Sequence, residues 1–227
     1  MIIVHHLNNS RSQRILWLLE ELGLAYEIKK YQRDPKTMLA PPELRAVHPL
    51  GKSPVISEGD TVVAESGAIV EYLTARHGVS ADGTALAPAP GTPERLHYTY
   101  FLHYAEGSMM PPLLLKLVFD RVAQAPAPFF VRPIARGIAN KVTTSFVQPQ
   151  IDTHLAFLEA ELGKRTWFAG SHFSAADIQM SFPLEAAAAR GGLDGRYPNL
   201  TGFLERIHAR PAYRRALERG GKYDFVK

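Results

Sequence analysis

From Val79 to Pro93 the chain reads VSADGTALAPAPGTP, and this stretch constrains the architecture more than any other. It is rich in Gly, Ala and Pro and has no apolar periodicity, the pattern of a connection between folding units. Before it, strand and helix signals alternate; after it, every periodic segment is helical. The predicted organisation is a small α/β domain over residues 1–80, a linker over 81–92 and an all-helical domain over 93–227.

In the first unit, Ile2-Ile3-Val4 reads as a short buried strand. Ile15, Leu18, Leu19 and Leu22 then recur at helical spacing, with Gly23 as the stop. Tyr26 to Tyr31 alternates weakly as a second strand. Pro35 to Pro49 is irregular, with one helical turn around Glu43-Leu44-Arg45. Val55-Ile56 and Thr61 to Ala64 flank Ser57-Glu58-Gly59-Asp60 as a hairpin, and Ser66 to Arg76 is again helical. The order predicts a mixed four-stranded sheet with covering helices. In the second unit, Ile151, Leu155, Leu158 and Leu162 form an amphipathic stripe, and Ala175 to Arg190 is apolar all round, as a central buried helix is. A helix over 94–116 must be kinked or broken at Pro111-Pro112.

The chain of 227 residues has 46% hydrophobic residues, a formal charge of +4 and no cysteine. The missing thiol excludes disulfides, zinc–thiolate sites, CxxC redox chemistry and a cysteine nucleophile. Any thiol chemistry must therefore use a ligand's thiol. The basic residues are scattered, and the cluster from Arg206 to Arg219 reads as a solvated helix face, so no nucleic-acid partner is expected. No stretch has the length of an apolar membrane span and MIIVHHL is too short for a signal sequence, which leads to the expectation of a soluble, cytoplasmic protein. His5 and His6 point to opposite faces of a strand, so no metal site is expected there.

Three short motifs of the first unit carry chemistry. Asn9-Ser10-Arg11 stands where the first strand turns into the first helix. A helix N-terminus offers unpaired N–H groups and a partial positive charge that favour an anion such as a thiolate. Ser10 to Gln13 also fits a capping box, in which Ser10 accepts the third helical N–H and Gln13 reaches back. Ser10 is therefore a cap, a ligand contact or both. Gly51-Lys52-Ser53-Pro54-Val55 places a proline at the mouth of a strand, where a cis peptide would leave the Val55 backbone available to an extended peptide and Lys52 to a carboxylate. Glu65-Ser66 opens a helix directly after a strand, so Ser66 and the free N–H groups suit a carboxylate and Glu65 an ammonium. Ser174-Ala175-Ala176-Asp177 reads as a capping box rather than a catalytic carboxylate, and Trp17 as a core or interface residue.

The runs HHLNNSRSQRILWLLEELGLAYEI, APPELRAVHPLGKSPVI and VVAESGAIVEYL together resemble the thioredoxin-like half of glutathione S-transferases. They are most similar to the bacterial and fungal branch with an SRS-type turn before the first helix. SAAD at 174–177 and RPAYRRAL near the end extend the resemblance over nearly the whole chain. The resemblance implies glutathione as co-substrate and no other cofactor. It places the γ-glutamyl end at Glu65 and Ser66, the cysteinyl backbone at Val55 beside Ser53 and Pro54, a carboxylate near Lys52, and the thiol near Ser10, Asn9 or Arg11, in that order of preference. It implies a homodimer and a hydrophobic electrophile held over helix 94–116, with Tyr104, Met109 and Met110 as pocket candidates. Met38-Leu39 stands where relatives carry His-Lys for the glycyl end, and Lys36 is a substitute candidate. The activity implied is conjugation, in keeping with a detoxification role. A glutathione-dependent disulfide reductase or peroxidase and a non-enzymatic, transferase-like binding module are the alternatives.

Overall fold

The computed structural model describes residues 1–226. Its first unit runs β1 (Ile2–Leu7), α1 (Ser12–Leu22), β2 (Tyr26–Tyr31), α2 (Pro42–Val47), β3 (Val55–Glu58), β4 (Thr61–Ala64) and α3 (Ser66–His77). The strands form one mixed sheet in the order β2-β1-β3-β4. β1 pairs with β2 in parallel and with β3 antiparallel, with Val4 opposite Ile28 and Ile56. The period-two alternation of β1 sends Ile2 and Val4 into the main core, while Leu7 joins Tyr31 and Leu44 in a small cluster under α2.

The helical unit runs α4 (Pro93–Tyr104), α5 (Met110–Gln124), α6 (Arg132–Val142), α7 (Gln148–Lys164), α8 (Ala175–Ala186), α9 (Pro198–His208) and α10 (Pro211–Gly220). Proline stands in the first turn of α4, α5, α6, α7, α9 and α10. There its missing N–H is no loss and its fixed φ favours helix. One hydrophobic cluster runs through both units. At its centre, α1 is buried around almost its whole circumference, packed on the sheet, on α3 and on α8 and α10, and every residue of α8 is buried. The uniformly apolar composition of 175–190 is thus that of a central helix. Gly23 ends α1 in the left-handed conformation (φ 65°) that its lack of a Cβ allows.

The expected helix over 94–116 is interrupted as its prolines require, but by a π-helical turn, Ala105–Met109, placed just before them. A second π turn, Thr143–Val147, precedes Pro149 in the same way. Each π turn inserts a residue into the helical register, so the face presented downstream rotates by about 100°. No helix among the described residues is long and apolar enough to cross a membrane.

Candidate functional site

The turn from β1 into α1 is held by side chains rather than by a regular cap. Asn9 takes a left-handed conformation (φ 48°), which delays the first helical residue to Ser12 and makes Arg11 the N-cap. The capping box expected of Ser10 and Gln13 is consequently not formed. Ser10 Oγ accepts the Ser12 N–H at 3.2 Å, the Ser10 carbonyl accepts the Gln13 N–H at 3.3 Å, and Gln13 Nε2 is buried without an acceptor.

Ser10 instead belongs to a row of hydroxyls. Ser53 Oγ donates to the His5 carbonyl at 2.9 Å, so its single proton is committed. Ser10 Oγ must then donate to Ser53 Oγ (3.3 Å), Ser12 Oγ to Ser10 Oγ (2.7 Å), and His6 Nδ1 to Ser12 Oγ (2.8 Å). The row fixes His6 as the Nδ1–H tautomer. Burial, aided by Lys30, pushes the His6 imidazole down to about 4, so it is neutral at physiological pH. His5, on the opposite face of β1, bonds Tyr31 and Ser57. The two histidines share no ligand position.

The row runs to the floor of a cleft of about 630 Å³ between the two units. Asn9, Arg11, Lys52 and Ser53 line this cleft, while Ser10 lies beneath its surface at 3% exposure. Asn9 is engaged on both sides of its amide: Nδ2 donates to Asp224 Oδ2 at 2.7 Å and Oδ1 accepts the Asp224 N–H at 2.9 Å. Its side chain therefore clasps the C-terminal segment. Arg11 donates from Nε to Glu106 at 2.8 Å and lies 5.1 Å over the Phe182 ring. Of the three thiol candidates, Arg11 is the one whose charged side chain both reaches the cleft and stands at the start of α1.

Lys52 is exposed at the cleft rim, and the Ser53–Pro54 peptide is cis. Val55 opens β3 fully buried, opposite His5 on β1 and Ala64 on β4. Glu65 is exposed and takes φ 69°, a conformation that non-glycine residues rarely adopt and that clusters at ligand sites. Ser66 is buried, and its Oγ accepts from Arg14 Nη2 at 2.8 Å and from Gln179 Nε2 at 3.2 Å. It faces the domain junction as much as any ligand. Met38 and Leu39 line the cleft, whereas Lys36 is exposed in a turn where its backbone N–H donates to Asp34 and is not part of the lining; Arg33 and Arg45 line the cleft instead.

On the helical side the cleft is walled by Met110, Leu114, Leu117 and Phe182. Met110 is part of this wall. Tyr104 and Met109 are not: Tyr104 is buried with its hydroxyl on His154 Nδ1 and its ring against Tyr100 and Phe157, and Met109 is wholly buried in the core. The π turn at 105–109 is the reason, because it rotates the face of α5 relative to that of α4. Asp177 is the capping carboxylate of α8, accepting from Ser174 N–H, Ser174 Oγ–H and Phe168 N–H. Trp17 is core, its Nε1 donating to Glu21.

Several residues that shape the site carry no local signal. Arg14 is fully buried at the junction, bonded to Glu106, Ser66 and the Gln179 carbonyl. Glu106 is shared between Arg14 and Arg11; burial opposes its ionisation, but the two guanidiniums outweigh that and hold its carboxyl below the usual range. Arg121, Arg190 and Phe225 complete the wall. An arginine on the apolar side of α1 was the one available hint.

Residues 10–76 match the family model "Glutathione S-transferase, N-terminal domain", and residues 121–211 match "Glutathione S-transferase, C-terminal domain". Glutathione S-transferase 1 of Saccharomyces cerevisiae is 33% identical, with 96% of this chain and 95% of the yeast protein covered. Glutathione S-transferase 3 of Schizosaccharomyces pombe is 36% identical over 96% of this chain and 88% of that protein. Among solved structures, a glutathione S-transferase of Actinobacillus pleuropneumoniae superposes with a TM-score of 0.80 at 36% identity, covering 99% of this chain and 95% of that one. A sphingomonad glutathione S-transferase, solved in complex with glutathione, superposes at 0.70 with 25% identity, covering 96% and 98%.

Proposed function

The chain belongs to the glutathione S-transferase family, and from that premise we propose that it adds the glutathione thiolate to apolar electrophiles held in the interdomain cleft. The observation that carries this reading is the meeting, in one cleft, of the α1 N-terminus with Arg11, of Lys52 and Ser53, and of the apolar wall on α5 and α8. Glutathione lies along β3 with its cysteinyl backbone on Val55, its ammonium toward Glu65 and its glycyl carboxylate toward Lys52, with Arg33 and Arg45 in support. Its sulfur stands over the first turn of α1. There Arg11 supplies charge and Ser10, turning its proton from Ser53 to the sulfur, supplies a hydrogen bond.

The thiol must lose its proton to solvent before attack, and a fall of two pKa units corresponds to about 2.7 kcal/mol of preferential stabilisation of the thiolate. The helix terminus, one guanidinium and one hydroxyl together are of that order. The thiolate then forms a C–S bond while the leaving group departs with its bonding electrons. Positioning of both partners supplies the remainder. Glutathione is the co-substrate and the proposed step needs no further cofactor. The chain has no cysteine, so no mixed disulfide with the enzyme can form, and a reductase or peroxidase cycle would have to run on glutathione thiols alone.

We further propose a cytoplasmic homodimer with a detoxifying role. Phe129, Phe130, Ile134 and Ile138 at the start of and along α6 are more than half exposed, an apolar surface of the kind monomers seldom leave uncovered. The deciding experiment titrates glutathione while following melting temperature, then compares conjugation of an aryl halide with reduction of hydroxyethyl disulfide. Stabilisation by glutathione with conjugation dominant is the expected result. No shift in melting temperature at millimolar glutathione would leave a transferase-like scaffold as the better reading.

A further inference from the structure

Six cationic side chains line the cleft, Arg11, Arg33, Arg45, Lys52, Arg121 and Arg190, against one carboxylate, Asp224. Arg11 is paired with Glu106, and Asp224 is shared between Asn9 and Lys222. The other five cations have no carboxylate within ion-pair distance among the described residues. Glutathione carries two carboxylates and one ammonium, so cations remain in excess after it is bound.

The excess is divided by position. Arg33, Arg45 and Lys52 belong to the thioredoxin-like unit, where the glycyl carboxylate is read. Arg121 and Arg190 come from the other wall: Arg121 from the last turns of α5 and Arg190 from the π-helical turn that follows α8. The Arg190 guanidinium lies 5.0 Å over the Phe225 ring, and its Nε is buried with no acceptor among the described residues. Burial, and after it the nearby Arg121, lower the Arg190 pKa, against the opposing effect of Asp120, which is itself paired with Lys116; Arg33 is lowered by burial and by Arg11 and Arg121. Arg190 and Arg33 are half-buried and Arg121 is exposed; guanidiniums that stand near one another and make no ion pair are well placed to surround an anion. Met110, Leu114 and Phe182 beside them accept an aromatic or aliphatic body.

We propose that the second substrate is an apolar molecule bearing an anionic group, a carboxylate or sulfonate, with its body on the α5 and α8 wall and its charge on Arg121 and Arg190. This rests on the reading of the cleft as the transferase site and adds the chemical class of the electrophile. A neutral hydrophobic electrophile uses the apolar wall alone and leaves the two arginines without a partner.

The test uses the full-length protein and two pairs of probes that differ by one charge. S-(para-carboxybenzyl)glutathione is compared with S-(para-methylbenzyl)glutathione by calorimetry. Anilinonaphthalene sulfonate is compared with neutral phenylnaphthylamine by fluorescence, without glutathione. The carboxylated conjugate is expected to bind about tenfold more tightly, and Arg121→Gln with Arg190→Gln to bring that ratio to about one while leaving the affinity for unsubstituted glutathione within about twofold. The corresponding Lys pair, which keeps the charge, is expected to retain most of the preference; its loss there too would overturn the charge argument. Equal binding of the two conjugates, or a preference that survives both Gln substitutions, would overturn the proposal. If glutathione and both conjugates fail to bind while the sulfonate preference is present and lost in the Gln variants, the anion site stands and the glutathione reading falls. If the sulfonate preference is absent as well, both fall.

Discussion

Arg14 Nη1 donates to the carbonyl oxygen of Gln179, the one carbonyl in the middle of α8 that Pro183 deprives of its helical N–H. A proline four residues on removes the donor that this carbonyl would otherwise have. The guanidinium from α1 replaces it, and its Nη2 bonds Ser66 and Glu106. A gap in one helix is thereby filled by a side chain of another, and the junction of the two units is fixed around it.

Removal of Arg14 should accordingly be costly. Arg14→Leu leaves the Gln179 carbonyl without a donor and takes one each from Glu106 and Ser66, which keep Arg11 and Gln179, and the expected loss is about 3 kcal/mol of unfolding free energy. Pro183→Ala restores the helical N–H, so the same Arg14→Leu change should cost about 1 kcal/mol less in that background. Denaturant unfolding of the four members of the cycle measures the coupling, and strict additivity would show that the carbonyl contact carries no energy.

His6 makes the fold acid-sensitive in a defined window. Its folded pKa of about 4 lies below the ordinary 6.5 because burial, then Lys30, disfavours the cation. The native state therefore binds fewer protons than the unfolded chain between these values. Stability is fully present above about 6.5 and is lost as pH falls toward 4, by up to about 3 kcal/mol. Unfolding free energies measured from pH 7 to 4 should show this slope in the wild type and a flatter one in His6→Gln.

Much of the fold was legible because its signals are local. Alternation in β1, the stripe of α1, Gly23 as its stop and the prolines that open the later helices each act within a turn or two. What escaped involves pairs far apart in the chain. Nothing near Arg14 announces Gln179, and nothing near Asn9 announces Asp224, because both contacts exist only once α1 lies against α8 and the C-terminal segment returns to the cleft. Tyr104 and Met109 were misplaced for a different reason. A π turn has no simple sequence period, so the faces of α4 and α5 came out of register. Of the apolar residues of α6, Ile134 and Ile138 are exposed and only Ala139 and Val142 reach the core, so burial marks this helix weakly.

Arg11 and Ser10 should separate in their effects on the bound thiol. Arg11→Ala removes a charge that faces the cleft and is expected to raise the thiol pKa by about one unit, a roughly tenfold loss of thiolate at neutral pH. Ser10→Ala removes one hydrogen bond and opens the hydroxyl row; the expected rise is smaller and is accompanied by about 1 kcal/mol of lost stability from the uncapped Ser12 N–H. Ultraviolet absorbance of the enzyme-bound thiolate against pH reports the first quantity and thermal unfolding the second. A thiol pKa indifferent to Ser10→Ala assigns that residue to the turn alone.

Lys52 and Glu65 are exposed and make no contact on which folding depends, so their replacement should act on glutathione alone. Lys52→Ala and Glu65→Gln each remove one charge-assisted contact, expected at about 1.5–3 kcal/mol, or about ten- to a hundredfold in KM for glutathione. Because both contacts are made equally in the ground and transition states, kcat at saturating glutathione should change by less than about threefold. Melting temperature without ligand should be unchanged, since neither side chain is buried. A fall in kcat with KM unmoved would mean that these residues act on the reacting sulfur and not on the ends of the tripeptide, which would reverse the orientation assigned to glutathione along β3.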